Sequence, residues 1–305
     1  MAPVLHVADH DINITSIDKE LFPEDHVSKG DMLLHYAAVA DTMVPHLAGR
    51  PLTLLRFPHG IGRDGFFQKH PQGRVPEWVH TVEVPLRRSE GNVHYVVCDD
   101  AATLLYLANL LAIEFHIWTA TTADIERPDR LVVDIDPPGE VPVAELRSIA
   151  RRARDLYREV GLTPYLQATG GRGFHVVAPL DRSADFAFVR SLAGDLADRL
   201  AAADPDRLTT AQRKNKRGDR VFLDVNRNGH GQTFIAPYSM RARPGAAVAT
   251  PLEWSELGRA VPDGFTAAAI ARRLARKADP WADMDAHAAA PAAARERLDA
   301  LENGH

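Results

Sequence analysis

Apolar positions recur at helical spacing in three stretches of the chain. Met32, Leu33, Tyr36, Val39, Ala40, Met43, Val44 and Leu47 form the first stripe. Ser28 followed by Asp31 predicts a capped start for that helix, and Gly49 and Pro51 predict its end. Val143, Leu146, Ile149, Ala150, Ala153, Leu156, Tyr157 and Val160 form the second stripe, with Arg147, Arg151, Arg154 and Arg158 largely off it. Residues 186–200 form the third. Residues 101–112 are apolar nearly all round, which predicts a buried helix. Short apolar runs predict strands at 51–57, 79–84, 93–98, 114–119, 129–136, 165–169 and 174–180. The runs 221–225 and 233–237 read as a final strand pair. The mixture of helical and strand-like segments predicts an α/β chain. After about residue 279 the chain turns Ala-rich and polar, so 281–305 reads as a helical or frayed tail.

Composition narrows the class. The 305 residues are 45% hydrophobic and 25% charged, which suits one large globular domain or two small ones. No apolar run approaches a membrane span, and the N-terminus lacks the basic start and apolar core of a secretory signal. Cys98 is the only cysteine, so an internal disulfide is excluded and a thiolate metal site lacks partners. The expected compartment is the cytoplasm. Net charge is −5, which argues weakly against nucleic acid, but residues 207–243 carry nine Arg/Lys against two acids. That stretch suits phosphates, or is a solvated loop.

The chemistry concentrates at Asp134 and Asp136, which end the run Leu-Val-Val-Asp-Ile-Asp-Pro-Pro. Residues two apart on a strand share a face, so both carboxylates project together. Hard cations favour such oxygens; a solvated strand end is the plainer reading. Asp224, in Val-Phe-Leu-Asp-Val-Asn, is a third acid in an apolar strand and can complete a three-carboxylate site for two metals, or form a strand-end turn. The run Thr169-Gly170-Gly171-Arg172-Gly173-Phe174-His175 lies between two strand-like segments. It reads as a phosphate cradle or as a glycine hairpin turn. His116 among aromatics is packed or catalytic. Arg227 and Arg241 can neutralise a triphosphate or lie on the surface. Lys19 and Lys29 flank a short loop, and Lys29 opens the first helix, where a terminal phosphate would fit; two surface lysines is the plainer account. Phe66 and Phe67 beside Lys69 suit base stacking or core packing.

Taken in order, these motifs resemble the polymerase domain of bacterial non-homologous end-joining ligase D, within the archaeo-eukaryotic primase-polymerase superfamily. The resemblance covers about residues 5–265 and includes His-Tyr-Val-Val-Cys-Asp-Asp (94–100), Glu-Phe-His-Ile-Trp (114–118) and Ala-Pro-Tyr-Ser-Met-Arg-Ala (236–242). It implies an α/β (α+β) fold, a mixed, largely antiparallel central sheet flanked by helices with an active-site cleft across it, and a catalytic domain over 1–280, with residues 1–50 contributing 5′-phosphate binding. Asp134, Asp136 and Asp224 would hold two Mg²⁺ or Mn²⁺ ions. Thr169, Arg172 and His175 would contact the nucleoside triphosphate, with Arg227, Arg241, His116 and Arg56 nearby. Lys19 and Lys29 would hold a downstream 5′-phosphate, and Phe66, Phe67 and Lys69 would lie by the template.

The implied activity is template-dependent nucleotidyl transfer in break or gap repair, with ribonucleotides preferred. Implied partners are gapped or broken DNA, NTP or dNTP, Ku and a separate DNA ligase, at the prokaryotic nucleoid and with no membrane. Two departures stand out: the motif usually opens with Ser and carries Lys, where this chain has Thr169 and Arg172. A Lys-x-Asp-Gly ligase nucleophile is absent, so a stand-alone or excised polymerase is expected. The rival readings are a two-metal nuclease or phosphohydrolase and a non-catalytic DNA end-binding module.

Overall fold

A computed structural model describes residues 3–70, 75–87 and 90–303. The chain opens with two hairpins, β1 (Val4–Val7) with β2 (His10–Asn13) and β3 (Glu20–Phe22) with β4 (Val27–Ser28). Helix α1 (Lys29–Leu47) follows, then β5 (Leu52–Arg56), β6 (Phe66–Gln68), β7 (Thr81–Pro85), β8 (Asn92–Val96), α2 (Ala101–Asn109) and β9 (Ala112–Trp118). Next come β10 (Arg130–Asp136), α3 (Val143–Glu159), β11 (Tyr165–Ala168), β12 (Phe174–Pro179), α4 (Phe186–Ala202), β13 (Leu208–Thr209) and β14 (Val221–Asp224). The remainder is β15 (Thr233–Ile235), β16 (Thr250–Leu252), α5 (Ala267–Leu274) and α6 (Pro291–Asn303).

These elements form two compact units. The first holds Met1–Ala123, Phe234–Ala249 and Phe265–Lys277; the second holds Asp124–Thr233, Thr250–Gly264 and Ala278–His305.

In the first unit, four strands run in the order β15-β9-β5-β6. Helix α1 forms where the sequence says it should. The Ser28 hydroxyl accepts from Asp31 N, and the Asp31 carboxylate accepts from Ser28 N, a reciprocal cap. The stripe from Met32 to Leu47 is buried apart from the half-buried Val44, and Gly49 ends the helix at φ +66°, a backbone angle that costs glycine little. Tyr36 ties the helix into the unit: its hydroxyl donates to Ile113 O at 2.5 Å and accepts from Met240 N at 3.1 Å.

In the second unit, six strands run in the order β13-β14-β10-β12-β11-β16. Every pairing is antiparallel except the parallel β13–β14 edge. Val133 and Ile135 are fully buried, while Asp134 and Asp136 alternate with them and face the other way. Helix α3 packs on β12, and α4 on β10 and β14. Asn228 extends the sheet beyond β14. Its amide accepts from Val132 N at 2.8 Å and donates to Val132 O at 2.7 Å and Val225 O at 2.9 Å, so a side chain stands in for a strand.

The mixed, largely antiparallel architecture with flanking helices is as expected, although it is spread over more than one sheet. The expected pairing of 221–225 with 233–237 is wrong. β14 pairs with β10, while β15 lies beside β9 in the other sheet. The short helical turn Asn226–Asn228 carries the chain away from β14, whose two edges are already taken by β10 and β13 and leave no place for a hairpin partner. Residues 281–305, read as a helical or frayed tail, include α6, which packs on α4 and buries Ala294 and Leu298; Trp281 is buried as well. Two well-spaced apolar residues among alanines were too weak a pattern to signal that burial.

Candidate active site

The register of the six-stranded sheet builds one lateral row. Asp134 on β10 lies opposite His175 on β12 and opposite Asp224 on β14. Directly opposed residues share a face with Cβ atoms about 5 Å apart. Asp136 is two residues along β10 and joins the same face. Thus three carboxylates and an imidazole from four separate sequence positions share one face of the sheet.

The protein's own cations hold these carboxylates. Arg227 Nε lies 3.5 Å from Asp134 Oδ2, and its terminal nitrogen lies 3.4 Å from Asp224 Oδ2, so one guanidinium bridges both. His175 Nε2 is 3.5 Å from Asp134 Oδ1, and Arg172 is 3.5 Å from Asp136 Oδ1. Asp134 and Asp224 are 14% and 13% exposed, whereas Asp136 is 41% exposed. Burial and the charge of Asp134 push the Asp136 carboxyl above its ordinary value; Arg172 and Arg217 oppose the rise and Asp224 adds to it. The Arg217 guanidinium carbon lies over the Phe222 ring, 3.4 Å from its centroid, and the group is held by its bonds to Ala211 O and Gln212 O. The sequence reading counted Arg217 only as part of a basic stretch. A cross-strand position opposite Asp136 puts Phe222 under it, and that register is not legible from composition.

Among the described residues no three His, Cys, Asp or Glu side chains are drawn together as a ready cation cage. The fit to a divalent ion therefore rests on donor chemistry. All three acids offer hard oxygens on one face of the sheet.

The glycine run is a tight turn joining β11 to β12. Thr169 is buried, and its hydroxyl donates to Gly173 O at 2.8 Å and accepts from Gly171 N at 3.2 Å. Gly170 takes φ +65° and its N–H donates to Pro262 O at 2.9 Å. A Cβ on Gly173 would sit 1.8 Å from Ile135 O, so only glycine lets the turn lie on the carboxylate strand. The hairpin is observed: Thr169 shapes the turn from within, and Arg172 and His175 are the members that reach the carboxylates.

The first unit gathers a second group. Glu114, which the sequence reading passed over, joins His116 to Arg241. His116 Nε2 lies 2.9 Å from Glu114 Oε2, Arg241 Nε donates to Oε1 at 3.2 Å, and Ala242 N donates to the same oxygen at 2.9 Å. Burial alone would raise the Glu114 carboxyl. The His116 bond, the charges of Arg241 and His116, and the Ala242 N–H outweigh it and hold it at about 2. The available signal was the two-residue spacing of Glu114 and His116 on one strand face.

Phe67 is 65% exposed and packs edge-on to His116, with ring centroids 5.8 Å apart. Phe66 is 37% exposed under the Arg56 guanidinium. Neither ring is core. Arg56 donates to Leu110 O at 2.7 Å and Gln68 Oε1 at 2.9 Å, and lines a cavity of about 20 Å³ with Lys69.

The lysine pair needs a correction. Lys29 is not a surface lysine: it is 1% exposed, and its Nζ donates to Thr15 O at 2.6 Å. Burial first, and the charge of Lys19 second, push its pKa down. Lys19 Nζ donates to Pro58 O. The first N–H groups of α1 are occupied: Lys29 N by Lys19 O, Gly30 N by Ile17 O and Asp31 N by Ser28 Oγ. An anion here would meet two ammonium groups rather than a helix end.

Comparison with known proteins decides the family. The model of the LigD primase-polymerase domain matches residues 28–281. The chain belongs to this family. Membership classes it with the primase-polymerase nucleotidyltransferases. It is 34% identical over 285 residues to the multifunctional non-homologous end joining DNA repair protein LigD of Mycobacterium tuberculosis, covering 91% of this chain and 37% of that protein. It is 30% identical to the bifunctional non-homologous end joining protein LigD of Bacillus subtilis, covering 90% of this chain and 44% of that one. The chain thus spans between a third and a half of these relatives. Among solved structures, the polymerase domain of Mycobacterium tuberculosis ligase D in complex with DNA matches with a TM-score of 0.83 at 33% identity. That match covers 91% of this chain and 99% of that one.

Proposed function

We propose that this LigD primase-polymerase adds nucleotides to a primer end on gapped or broken DNA. The observation that carries the reading is the row His175–Asp134–Asp224 with Asp136 beside it, ringed by Arg172, Arg217 and Arg227. Support also comes from the similar polymerase domain in complex with DNA.

Asp134, Asp136 and Asp224 would hold two Mg²⁺ or Mn²⁺ ions. When bound, such ions neutralise charge at the attacking and leaving oxygens of phosphoryl transfer. The chain's own residues do the rest. Arg172 and His175, on and beside the turn, orient the triphosphate by charge-assisted bonds. Gly173 and Thr169 keep that turn pressed against β10, so the phosphate-binding groups and the carboxylates stay in one register. Arg227 keeps Asp134 and Asp224 on a common axis until substrate and ions arrive. In the first unit, Glu114 fixes the orientation of His116 and Arg241, the expected further nucleotide contacts. Exposed Phe66 and Phe67 are suited to stacking on template bases. Lys19 and Lys29 form the 5′-phosphate subsite, reached through the ammonium groups. Ribonucleotide preference, Ku and a separate ligase belong to this reading as well.

A two-metal nuclease would use the same acids but has no need of Arg172 and His175 beside them. A plain end-binding module gains nothing from three anions facing phosphates. Primer extension by the parent and by Asp134→Ala tests the proposal: synthesis falls to background in the variant while gapped-DNA binding persists. Equal synthesis in both would refute it.

A further inference from the structure

Asp224 is gripped from behind. Its Oδ1 accepts two hydrogen bonds from Asn226, from the backbone N–H at 2.8 Å and the side-chain amide at 2.7 Å. The same amide nitrogen donates to Gln212 Oε1 at 2.7 Å, and Asn226 Oδ1 accepts from Arg190 at 3.2 Å. The amide orientation is set by these partners, since turning it over would place an oxygen against two oxygens and a nitrogen against a guanidinium. The other carboxylate oxygen, Oδ2, faces Arg227, which also touches Asp134.

Resting on the reading of Asp224 as a metal ligand, we propose that Asn226, braced by Gln212 and Arg190, is a positioning residue that reserves Asp224 Oδ2 for the metal site. With both Oδ1 bonds in place the carboxylate cannot rotate about its Cβ–Cγ bond without losing two charge-assisted contacts. Asp224 therefore presents a single oxygen at a fixed angle to the row it shares with Asp134. Such outer partners orient ligands as surely as the ligands bind ions. Gln212 adds a further consequence. It precedes the short basic turn Lys214–Lys216, and Arg217 donates to its carbonyl. The brace on Asp224 is therefore built from the loop that carries Arg213, Lys214, Lys216 and Arg217.

The test titrates Mn²⁺ alone into the whole chain, followed by electron paramagnetic resonance. It compares the parent, Asp224→Ala, Asn226→Leu and Gln212→Ala, with melting curves as the folding control. Single-nucleotide extension supplies kcat and KM. Asn226→Leu keeps side-chain volume and removes the amide. It weakens Mn²⁺ binding roughly tenfold and lowers kcat, while KM for the nucleotide stays within about twofold. Gln212 is exposed, so Gln212→Ala folds normally and moves the same quantities in the same direction by a smaller factor. Asp224→Ala loses one Mn²⁺ site. Mn²⁺ affinity within about twofold of the parent in both Asn226→Leu and Gln212→Ala, beside a loss in Asp224→Ala, overturns the positioning role alone. Parental Mn²⁺ binding by Asp224→Ala overturns the metal-ligand reading and the positioning role with it.

Discussion

Glu114 illustrates how one buried acid sets the state of its neighbours. It carries a charge at 3% exposure because His116, Arg241 and Ala242 N–H all point at it. A carboxyl held at about 2 in the folded chain and near its ordinary value when unfolded stabilises the fold by about 3 kcal/mol at neutral pH. The sign follows from the depressed pKa. The contribution is present above the unfolded value and is lost as pH falls towards the folded one. Glu114→Gln therefore destabilises the chain at pH 7, and the gap from the parent narrows below about pH 4.5. Urea unfolding at several pH values measures this, and parallel pH profiles would contradict it. His116 and Arg241 were legible in the sequence as candidates. The acid that joins them was not, because their partnership depends on a strand register and on a chain return of more than a hundred residues.

At the scale of elements, hydrophobic spacing located α1 to α4 within a few residues and most strands as well, but it did not reveal α5. The three acids and the glycine turn were also legible, since each sits at the end of an apolar run. Partner choice was not legible: β14 and β15 look alike in sequence yet serve different sheets. Asn228 closes the edge of β10 beyond the end of β14 by bonding both polar groups of Val132. Asn228→Ala strands those buried groups and should cost about 2–4 kcal/mol, with extension falling as β10 loosens. A melting temperature equal to the parent's would count against the clamp.

The start of α1 makes a different prediction. Lys29 has a lowered pKa because it is buried near Lys19, and a phosphate dianion beside it would favour its charged form. Preference for a 5′-phosphorylated over an unphosphorylated gap should therefore fade with rising pH, beginning below the ordinary lysine value of 10.5. In Lys29→Ala the ratio is low and flat with pH. A parental ratio in that variant would remove Lys29 from the subsite.

For the whole molecule, net charge was a poor guide. A chain of net charge −5 places its anions at the centre of a site and its cations around them. Among the described residues no helix is long and apolar enough to cross a membrane. The primase-polymerase family was legible from motif order because the fold brings those motifs into one row. The division into two units was not, since each unit is assembled from three separate stretches and no linker marks the boundary.

The central claim is metal-dependent nucleotide addition at Asp134, Asp136 and Asp224. The most direct measurement is extension of a primer across a short DNA gap bearing a downstream 5′-phosphate. Ribonucleotides or deoxyribonucleotides are supplied with Mg²⁺ or Mn²⁺, and Asp134→Ala runs beside the parent. Extension that needs the metal, favours ribonucleotides and falls to background in the variant is the expected result. DNA binding without extension under every combination, or extension undiminished in Asp134→Ala, would contradict it.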